Sequence, residues 1–403
     1  MNETSPIRPT KKTQRITLLD VYRGFAILGI FVVNITVMHS TYLNQDVYNA
    51  QWTASIDVWT QRILQLFFYT KFFPIFSLLF GWGMAMQALK MKEKQGVSLV
   101  FFARRMGYLW LFGVLHIAFL WSGDVLHLYA VLGLLITPLI VQRSTLLIWL
   151  SVILLVFPFY DTLLSEVFTR LSLTPESTLS GYDAQSVREI IRQGSFSEGI
   201  QLRFREYVAN LPMLLGYLAP MALSMFLLGL YLGKMKIHLR LSAVIQSITI
   251  PMLAIAILSN AYRLVFLFVL PEYELYRDPQ FRPYFIKLMV VCDVLMGLFY
   301  LWCIGWLWYR KCGRPMLRPL RFVGRMALTH YLFQSAIGVW LFTAVGLSNY
   351  ETFRPYELFG IALLVFILQI FLSKVWLRYF RFGPVEWIWR CATYGKWFPL
   401  RKR

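Results

Sequence analysis

Residues 109–135 read LWLFGVLHIAFLWSGDVLHLYAVLGLL, an apolar run that is interrupted by two histidines and one aspartate. His116 lies inside the first apolar segment, and Asp124 and His127 follow a short polar break. An ionisable side chain in the hydrocarbon of a bilayer costs from about 2.5 to more than 10 kcal/mol, so such residues are rare and mark functional sites. The stretch therefore predicts membrane helices that carry a polar centre.

The composition of the whole chain favours a membrane protein. Of the 403 residues, 58% are hydrophobic and 17% are aromatic. Runs of about 20 apolar residues, the length that crosses a bilayer, recur throughout. The pattern predicts an all-α, polytopic membrane bundle of about ten transmembrane helices. The predicted spans are 18–38, 63–88, 104–121, 125–141, 145–160, 211–233, 242–270, 285–309, 321–346 and 357–377.

The distribution of basic residues predicts the orientation of the chain. The net charge is +20, but the lysines and arginines cluster in short loops between alternate spans, as the positive-inside rule describes. The charge therefore points to the lipid bilayer as the partner, not to nucleic acid. We expect a multi-pass membrane protein with both termini in the cytoplasm. The four cysteines predict neither a disulfide framework nor a metal site.

The chain divides into four regions. Residues 1–160 form the first five-helix half, which we expect to be the catalytic bundle, and residues 211–380 form the second half. Residues 161–210 are long and mixed in charge, and we expect them to be extracytoplasmic, since long translocated segments escape the charge rule. They are either a connecting loop with one or two short amphipathic helices or a lid over a pocket. Residues 381–403 predict a cytoplasmic, Trp-rich amphipathic tail on the membrane surface.

Helical spacing brings several polar side chains together. Arg105 and His116 are eleven residues apart in the sequence and share one face of the third span, about 16 Å apart along its axis. Arg23 and Asn34 have the same spacing in the first span, and Lys71 reaches a similar outer depth in the second. The side chains expected to converge in the outer half of the first bundle are Asn34, Lys71, His116 and Asp124.

Other intramembrane polar residues favour structural roles. A lone intramembrane histidine is often a hydrogen-bond partner between helices, and that alternative stays open for His116. We expect such a role for His330, which has Gln334 one turn further on. Arg263 and Asp293 enter adjacent antiparallel spans at matching depth, which predicts a buried ion pair.

Five motifs follow one another along nearly the whole chain. They are LLDVYRGFAILGIFVVNI, KFFPIFSLLFGWG, GVLHIAFLWSGDVLHLYAVLG, VGRMALTHYLFQ and WLRYFRFGPVEWIWRCATY. Together they resemble the bacterial YeiB-like family, a family of multi-spanning membrane proteins of unknown function. That family is more distantly similar to transmembrane acyltransferases, including heparan-α-glucosaminide N-acetyltransferase. The resemblance implies that an acyl group passes from cytoplasmic acyl-CoA or acetyl-CoA to an acceptor that lies outside the cytoplasm or in the membrane.

Acyl transfer assigns roles to the polar residues. In the O-acyltransferase branch a histidine stands where this chain has Asn34, so we assign the general base to His116. Asp124 would orient the imidazole, and Asn34 and Lys71 complete the expected catalytic set. Arginine pairs bidentately with phosphates such as those of coenzyme A, although each arginine here also fits the positive-inside pattern. The arginines expected to bind the cofactor are Arg23, Arg104, Arg105, Arg321 and Arg325.

A transporter is the alternative from another class of protein. Its substrate would be small or amphipathic, and the intramembrane residues Lys71, His116, Asp124 and Asp293 would bind it or relay protons. Helices broken by Gly or Pro at matching positions of the two halves would favour a transporter, and the sequence shows no clear pair of them.

Overall fold

The structure, a computed structural model, describes residues 16–93 and 96–402. This part of the chain is helical, which confirms the all-α class. Its β-structure is limited to one isolated antiparallel bridge between Phe380 and Arg401. The helices up to the middle of the chain are α1 (Thr17–His39), α2 (Gln45–Gln51), α3 (Ser55–Phe67), α4 (Phe72–Lys92), α5 (Leu99–Phe119), α6 (Leu126–Ile136), α7 (Ser144–Val156), α8 (Tyr160–Arg170), α9 (Pro175–Thr178), α10 (Ala184–Gln193) and α11 (Phe196–Ala209).

The second half continues with shorter and longer helices in alternation. They are α12 (Leu211–Met213), α13 (Ala219–Lys234), α14 (Leu241–Ser247), α15 (Thr249–Phe268), α16 (Glu274–Arg277), α17 (Arg282–Trp308), α18 (Gly313–Leu317), α19 (Leu320–Gly324), α20 (Ala327–Phe342), α21 (Pro355–Tyr379) and α22 (Pro384–Tyr394). A π-helical turn at Leu214–Leu218 joins α12 to α13. Short 3-10 turns lie at Thr137–Val141, Ile237–Leu239 and Leu270–Glu272.

Six helical segments of the described residues are long and apolar enough to cross a membrane. They are Thr17–His39, Ser55–Lys92, Leu211–Lys234, Thr249–Glu272, Arg282–Trp308 and Pro355–Tyr379. Ser144–Val156 and Tyr160–Thr178 would add a seventh, bent by 67° at its break. These are the helices of a membrane protein. They are fewer than the ten spans expected, because helices such as α6, with 11 residues, and α20, with 16, are shorter than the expected spans, and a crossing takes about 20 residues.

Helix α1 is central to the bundle, in contact with α4, α17, α19, α20 and α21. It approaches α19 closely at Gly24, where a β-carbon would collide with the carbonyl oxygen of Leu320. Gly324 makes the reciprocal approach, because a β-carbon there would collide with the carbonyl oxygen of Asp20. The two glycines therefore let the backbones of α1 and α19 touch, as small residues do between membrane helices.

Residues 161–210 form four helices, α8 to α11, which is more than the one or two that we expected. Helices α10 and α11 begin at capping boxes, in which Asp183 accepts from the Ser186 backbone N–H and Ser195 accepts from that of Glu198. Hydrogen bonds from Ser186 lower the pKa of the Asp183 carboxyl. Local capping thus stabilises helices in a segment whose apolar patches are short.

Helices α10 and α11 dock on the end of the bundle through polar contacts. Arg188 Nε lies 2.7 Å from Glu351 Oε2, in the connection between α20 and α21. Arg203 Nε donates to the Ala118 carbonyl oxygen, 3.0 Å away, near the C-terminus of α5. These contacts fix the middle segment over the ends of α5 and α20.

The C-terminal tail forms α22, which packs against the bundle. It contacts α5 and α20. Glu386 Oε1 accepts hydrogen bonds from the backbone N–H groups of Leu328 and Thr329, at 2.7 and 3.0 Å, and so caps the first turn of α20. Burial raises the pKa of the Glu386 carboxyl, although the bonds from Thr329 oppose that effect.

Candidate functional site

A cavity of about 700 Å³ lies between α1, α4, α6, α20 and α22. We call it the arginine cavity, because one end of its wall is basic. The arginines that line it are Arg23, Arg105, Arg325, Arg381 and Arg390. Toward the other end the wall is mainly aromatic and aliphatic, and its polar residues include Asn34 and Thr70. The aromatic residues there include Phe73, Phe76, Phe80 and Tyr129.

Arg23 and Arg325 reach the cavity because of the glycine contact between α1 and α19. Each arginine is the sequence neighbour of a contact residue, Gly24 or Gly324, so the crossing brings both guanidinium groups to the same wall. Arg23 Nη1 also lies 3.0 Å from Asp20 Oδ1, one turn earlier on α1. Two of the predicted cofactor arginines therefore share the basic end.

Arg105 joins them from α5. Its guanidinium carbon lies 3.6 Å from the centre of the Trp389 ring, and Trp389 Nε1 donates to the Arg105 carbonyl oxygen, 3.0 Å away. The neighbouring Arg104 is exposed and does not line the cavity. Arg321 lies 4.7 Å from the Phe322 ring and does not line it either. Of the five arginines expected at one site, Arg23, Arg105 and Arg325 line the cavity, and Arg104 and Arg321 do not. Arg104 points away because it is adjacent to Arg105 on the same helix, and adjacent helical residues point in different directions.

Asp124 lies between two histidines, as the sequence spacing indicated for His116. Asp124 Oδ1 is 3.1 Å from His116 Nδ1, and Asp124 Oδ2 is 2.7 Å from His127 Nδ1. The three side chains are buried, and His127, at 7% exposure, is the most exposed of them. Gly113 makes the arrangement possible, because a β-carbon at that position on α5 would collide with the His127 backbone nitrogen.

The outer nitrogens of both histidines contact hydroxyl groups from distant parts of the chain. His116 Nε2 lies 2.8 Å from Ser335 Oγ on α20, and His127 Nε2 lies 2.9 Å from the Tyr207 hydroxyl on α11. A continuous series of polar contacts results. Its members, in order, are Ser335, His116, Asp124, His127 and Tyr207.

The histidine cluster lies behind the wall of the arginine cavity. Asn34 lines the cavity, but His116 and Asp124 do not. Tyr331 lines it and stacks on the His116 imidazole, with the ring centres 5.1 Å apart. Our expectation of an imidazole open to the cavity is thus corrected: α5 turns His116 toward Ser335, where its buried nitrogens find polar partners.

Lys71 belongs to a different cluster from the one we expected. Its Nζ lies 2.8 Å from Asp293 Oδ1, and Arg263 Nε lies 3.0 Å from the same oxygen. Arg263 is fully buried and Asp293 is 2% exposed, which confirms the predicted buried pair. Lys71 therefore does not join His116, because the buried carboxylate on α17 attracts its ammonium instead.

His330 and Gln334 make contacts between α20 and α21, as expected for a structural role. His330 Nε2 lies 2.5 Å from Ser373 Oγ. Gln334 Nε2 donates to Gln369 Oε1, 2.9 Å away. Both contacts link the helices through buried side chains.

A second, smaller cavity of about 70 Å³ lies under α10 and α11. Its wall includes Met38 of α1, Gly338 of α20 and Trp121 of the segment after α5. Glu206 of α11 also lines it and accepts a hydrogen bond from Ser122 Oγ at 2.8 Å. Burial raises the pKa of the Glu206 carboxyl. The middle segment thus covers a pocket, the arrangement that the lid interpretation describes.

Several residues of these sites were missed by the sequence analysis. They are Ser335, Tyr331, Tyr207, Glu386 and Trp389. Ser335 carried a usable signal, since it is a polar residue in an apolar span, four positions after a tyrosine. Tyr207 lies on α11, and Glu386 and Trp389 lie on α22, and local spacing does not relate these helices to the membrane helices that they contact.

Comparison with known proteins places the chain among bacterial proteins. Residues 232–396 match the family model "Protein of unknown function (DUF418)". The uncharacterized protein YxaH of Bacillus subtilis is 29% identical, over 99% of both chains. The uncharacterized protein YeiB of Escherichia coli is 30% identical, over 94% of this chain and 96% of its own. No solved structure matches the chain.

The protein has apolar helices around a partly basic internal cavity. These features define its class as an α-helical membrane protein with an internal cavity. Within that class, the chain belongs to the YeiB-like family of proteins of unknown function, to which the DUF418 model refers.

Proposed function

We propose that this protein is an integral-membrane acyltransferase. The donor is acyl-CoA, held in the arginine cavity, and the acceptor lies on the opposite side of the membrane or within it. The observation that carries the proposal is the cavity itself, which combines a basic end with an aromatic interior. A ligand that fits both parts has an anionic head and an apolar or extended tail.

The dimensions of the cavity support such a ligand. Its volume of about 700 Å³ falls within the range of about 300–1,000 Å³ that is usual for small-molecule sites. Along α1 it extends from Ile16 to Asn34, a rise of about 27 Å at 1.5 Å per residue. An extended pantetheine arm with its acyl group spans a comparable length, and the guanidinium groups would bind the phosphates.

The histidine cluster supports acyl transfer chemistry. A general base removes the proton from an attacking hydroxyl or amine, and a carboxylate on its other nitrogen keeps it oriented. His116 and Asp124 have this relationship, at 3.1 Å. Tyr331 separates them from the cavity and is the side chain that a bound acyl group would meet first.

The proposal includes an orientation in the bacterial inner membrane. About ten spans with both termini in the cytoplasm would place the arginine end on the cytoplasmic side, where acyl-CoA is made, and α10–α11 outside. Fusions of alkaline phosphatase should be inactive after Lys402 and active after Gln193. The reverse pattern would contradict this orientation.

Binding of acyl-CoA to the purified protein in nanodiscs tests the proposal. Arg105→Ala should weaken binding about 10- to 100-fold, since a hydrogen bond to a charged group contributes about 1.5–3 kcal/mol. Arg104→Ala is the matched control, because Arg104 is the adjacent residue and is exposed. Absence of acyl-CoA binding by the wild type, or equal losses in the two variants, would contradict the proposal.

His116→Ala separates binding from chemistry. It should abolish acyl transfer and leave the affinity for acyl-CoA nearly unchanged, since the phosphate contacts lie elsewhere. A His116→Ala protein with full transfer activity would show that His116 has only a packing role.

A transporter remains the second candidate, and one observation favours it. Asn34 lines the arginine cavity and Met38, one turn further along α1, lines the small cavity. Two cavities on opposite sides of a thin barrier are also what alternating access would use. Uptake of intact labelled ligand by proteoliposomes, without release of free CoA, would support transport over acyl transfer.

A further inference from the structure

Ser335, His116 and Asp124 form a hydroxyl–imidazole–carboxylate series. Ser335 Oγ lies 2.8 Å from His116 Nε2, and His116 Nδ1 lies 3.1 Å from Asp124 Oδ1. The three side chains come from α20, α5 and the segment before α6. The same three groups, in the same order, activate the serine of a catalytic triad for nucleophilic attack.

A second serine–histidine pair in the same molecule lacks these features. Ser373 Oγ donates to the carbonyl oxygen of Gln369 at 2.6 Å, so its proton is engaged by the backbone and it accepts from His330 Nε2. Among the described residues, His330 Nδ1 has no carboxylate oxygen within 4 Å, whereas Asp124 Oδ1 lies 3.1 Å from His116 Nδ1. Ser373 and His330 are therefore an ordinary contact between helices.

The hydroxyl of Ser335 is disposed differently. The carbonyl oxygen one turn earlier, that of Tyr331, is 3.5 Å away, at the outer limit for a hydrogen bond. The carboxylate of Asp124 favours the proton of His116 on Nδ1, which leaves Nε2 as the acceptor for the Ser335 hydroxyl. The proton of Ser335 is thus directed at a base.

Ser335 also lies between the two cavities. On α20, Tyr331 lines the arginine cavity and Gly338 lines the small cavity, and Ser335 is between them in the sequence. The segment after α5 also passes from one cavity to the other, since Trp121 lines the small cavity and Gly123 lines the large one. A group attached to Ser335 would stand at the boundary between a donor site and an acceptor site.

We propose that Ser335 is the nucleophile of this protein and carries the acyl group as an ester. This inference rests on the proposed acyltransferase function and adds a covalent intermediate to it. Ser335 Oγ attacks the thioester carbonyl carbon while its proton passes to His116 Nε2. The C–S bond then breaks, and the same proton goes to the CoA sulfur, so that acyl-Ser335 and free CoA are formed.

The second half of the reaction restores the enzyme. His116 takes the proton of an acceptor hydroxyl or amine that enters from the small cavity, and the acceptor oxygen or nitrogen attacks the ester carbon. The bond to Ser335 Oγ breaks, and His116 returns the proton to that oxygen. Asp124 acts as a positioning residue throughout, because it touches the imidazole and not the acyl group.

The test uses the full chain in nanodiscs with ¹⁴C-acetyl-CoA or palmitoyl-CoA and no acceptor. We expect release of one CoA per protein and a matching acyl mass on the peptide that contains Ser335. Ser335→Ala should lose the adduct and slow CoA release about a thousandfold or more, as with other nucleophile deletions, and should still bind acyl-CoA. Ser373→Ala is the matched control and should form the adduct as the wild type does.

Ser335→Cys guards against a variant that fails to fold. It retains a nucleophile and should carry the acyl group as a thioester that neutral hydroxylamine removes. Transfer at the wild-type rate by Ser335→Ala, or CoA release without acylation of residue 335, would overturn the inference and leave the acyltransferase proposal standing. Failure of the wild type to bind acyl-CoA would instead overturn the acyltransferase proposal itself.

Discussion

Two buried carboxylates, Asp293 and Asp124, have the same arrangement and different partners. Asp293 is 2% exposed and lies between the ammonium of Lys71 and the guanidinium of Arg263, at 2.8 and 3.0 Å. Asp124 is 1% exposed and lies between the imidazoles of His116 and His127, at 3.1 and 2.7 Å. Lysine and arginine are cations that hold a charge in place, whereas imidazole gains and loses a proton near neutral pH.

The neighbours of each cluster extend this difference. Lys71 also donates to the Tyr69 carbonyl oxygen, and Arg263 donates to the carbonyl oxygens of Gln65 and Leu66. The first cluster therefore ties α15 and α17 to the end of α3 and the turn that follows it. In the second cluster the hydroxyl groups of Ser335 and Tyr207 contact imidazole nitrogens, whereas in the first cluster the Thr70 hydroxyl donates to the Asp293 carboxylate itself. The difference favours a structural role for the Asp293 cluster and, under the proposed function, a chemical role for the Asp124 cluster.

The largest expected effect is that of Asp293→Asn. It leaves two buried cations facing each other without a counter-charge, so we expect the free energy of unfolding to fall by about 3–5 kcal/mol. Unfolding in mixed micelles measures this change. Asp46→Asn is the control, since Asp46 is exposed. A smaller loss than that caused by Asp124→Asn would show that the Asp293 cluster does not stabilise the fold.

The same substitution at the other carboxylate, Asp124→Asn, should cost less. Imidazole, unlike an ammonium or guanidinium group, has a neutral form that carries no charge to strand, so we expect the loss to be that of buried polar contacts, about 1–3 kcal/mol. Acyl transfer should nevertheless fall strongly, because the amide no longer orients His116 as a base. Stability and CoA release measured on one preparation test both parts. Unchanged release would mean that the His116–Asp124 pair is structural, like the Asp293 cluster.

The smallest effect is expected at an ion pair whose carboxylate is buried and whose cation is partly exposed. Glu351 pairs with Arg188, whose side chain is 24% exposed, and also accepts from Ser40 Oγ. Arg188→Ala should therefore lower stability by about 1 kcal/mol or less, since water replaces the guanidinium. Limited proteolysis in the segment before α10 should become faster. A loss of stability as large as that of Asp293→Asn would contradict the view that the partial exposure of Arg188 keeps the loss small.

Local sequence predicted those side-chain contacts in which the two residues are close in sequence or lie on adjacent helices. His116 and Asp124 are eight residues apart at a helix end, and Arg263 and Asp293 lie on antiparallel neighbours, so spacing and depth were sufficient. The same reasoning failed for Lys71, because depth along a helix does not say which neighbour its side chain meets. The prediction for Arg104 was wrong because the sequence of a helix that is apolar on most faces does not show which face points toward the cavity.

The amino-acid sequence by itself determined that this is an all-α membrane protein, that His116 has an acid beside it, and that Arg23 and Arg105 lie toward one end. Tertiary structure alone decided that Ser335 faces His116, 219 residues away, and that Tyr331 closes the cavity in front of it. The physical reason is packing. Contacts such as that of Gly24 with Leu320 set how the helices cross, and these crossings choose which of many equivalent apolar neighbours each polar side chain meets.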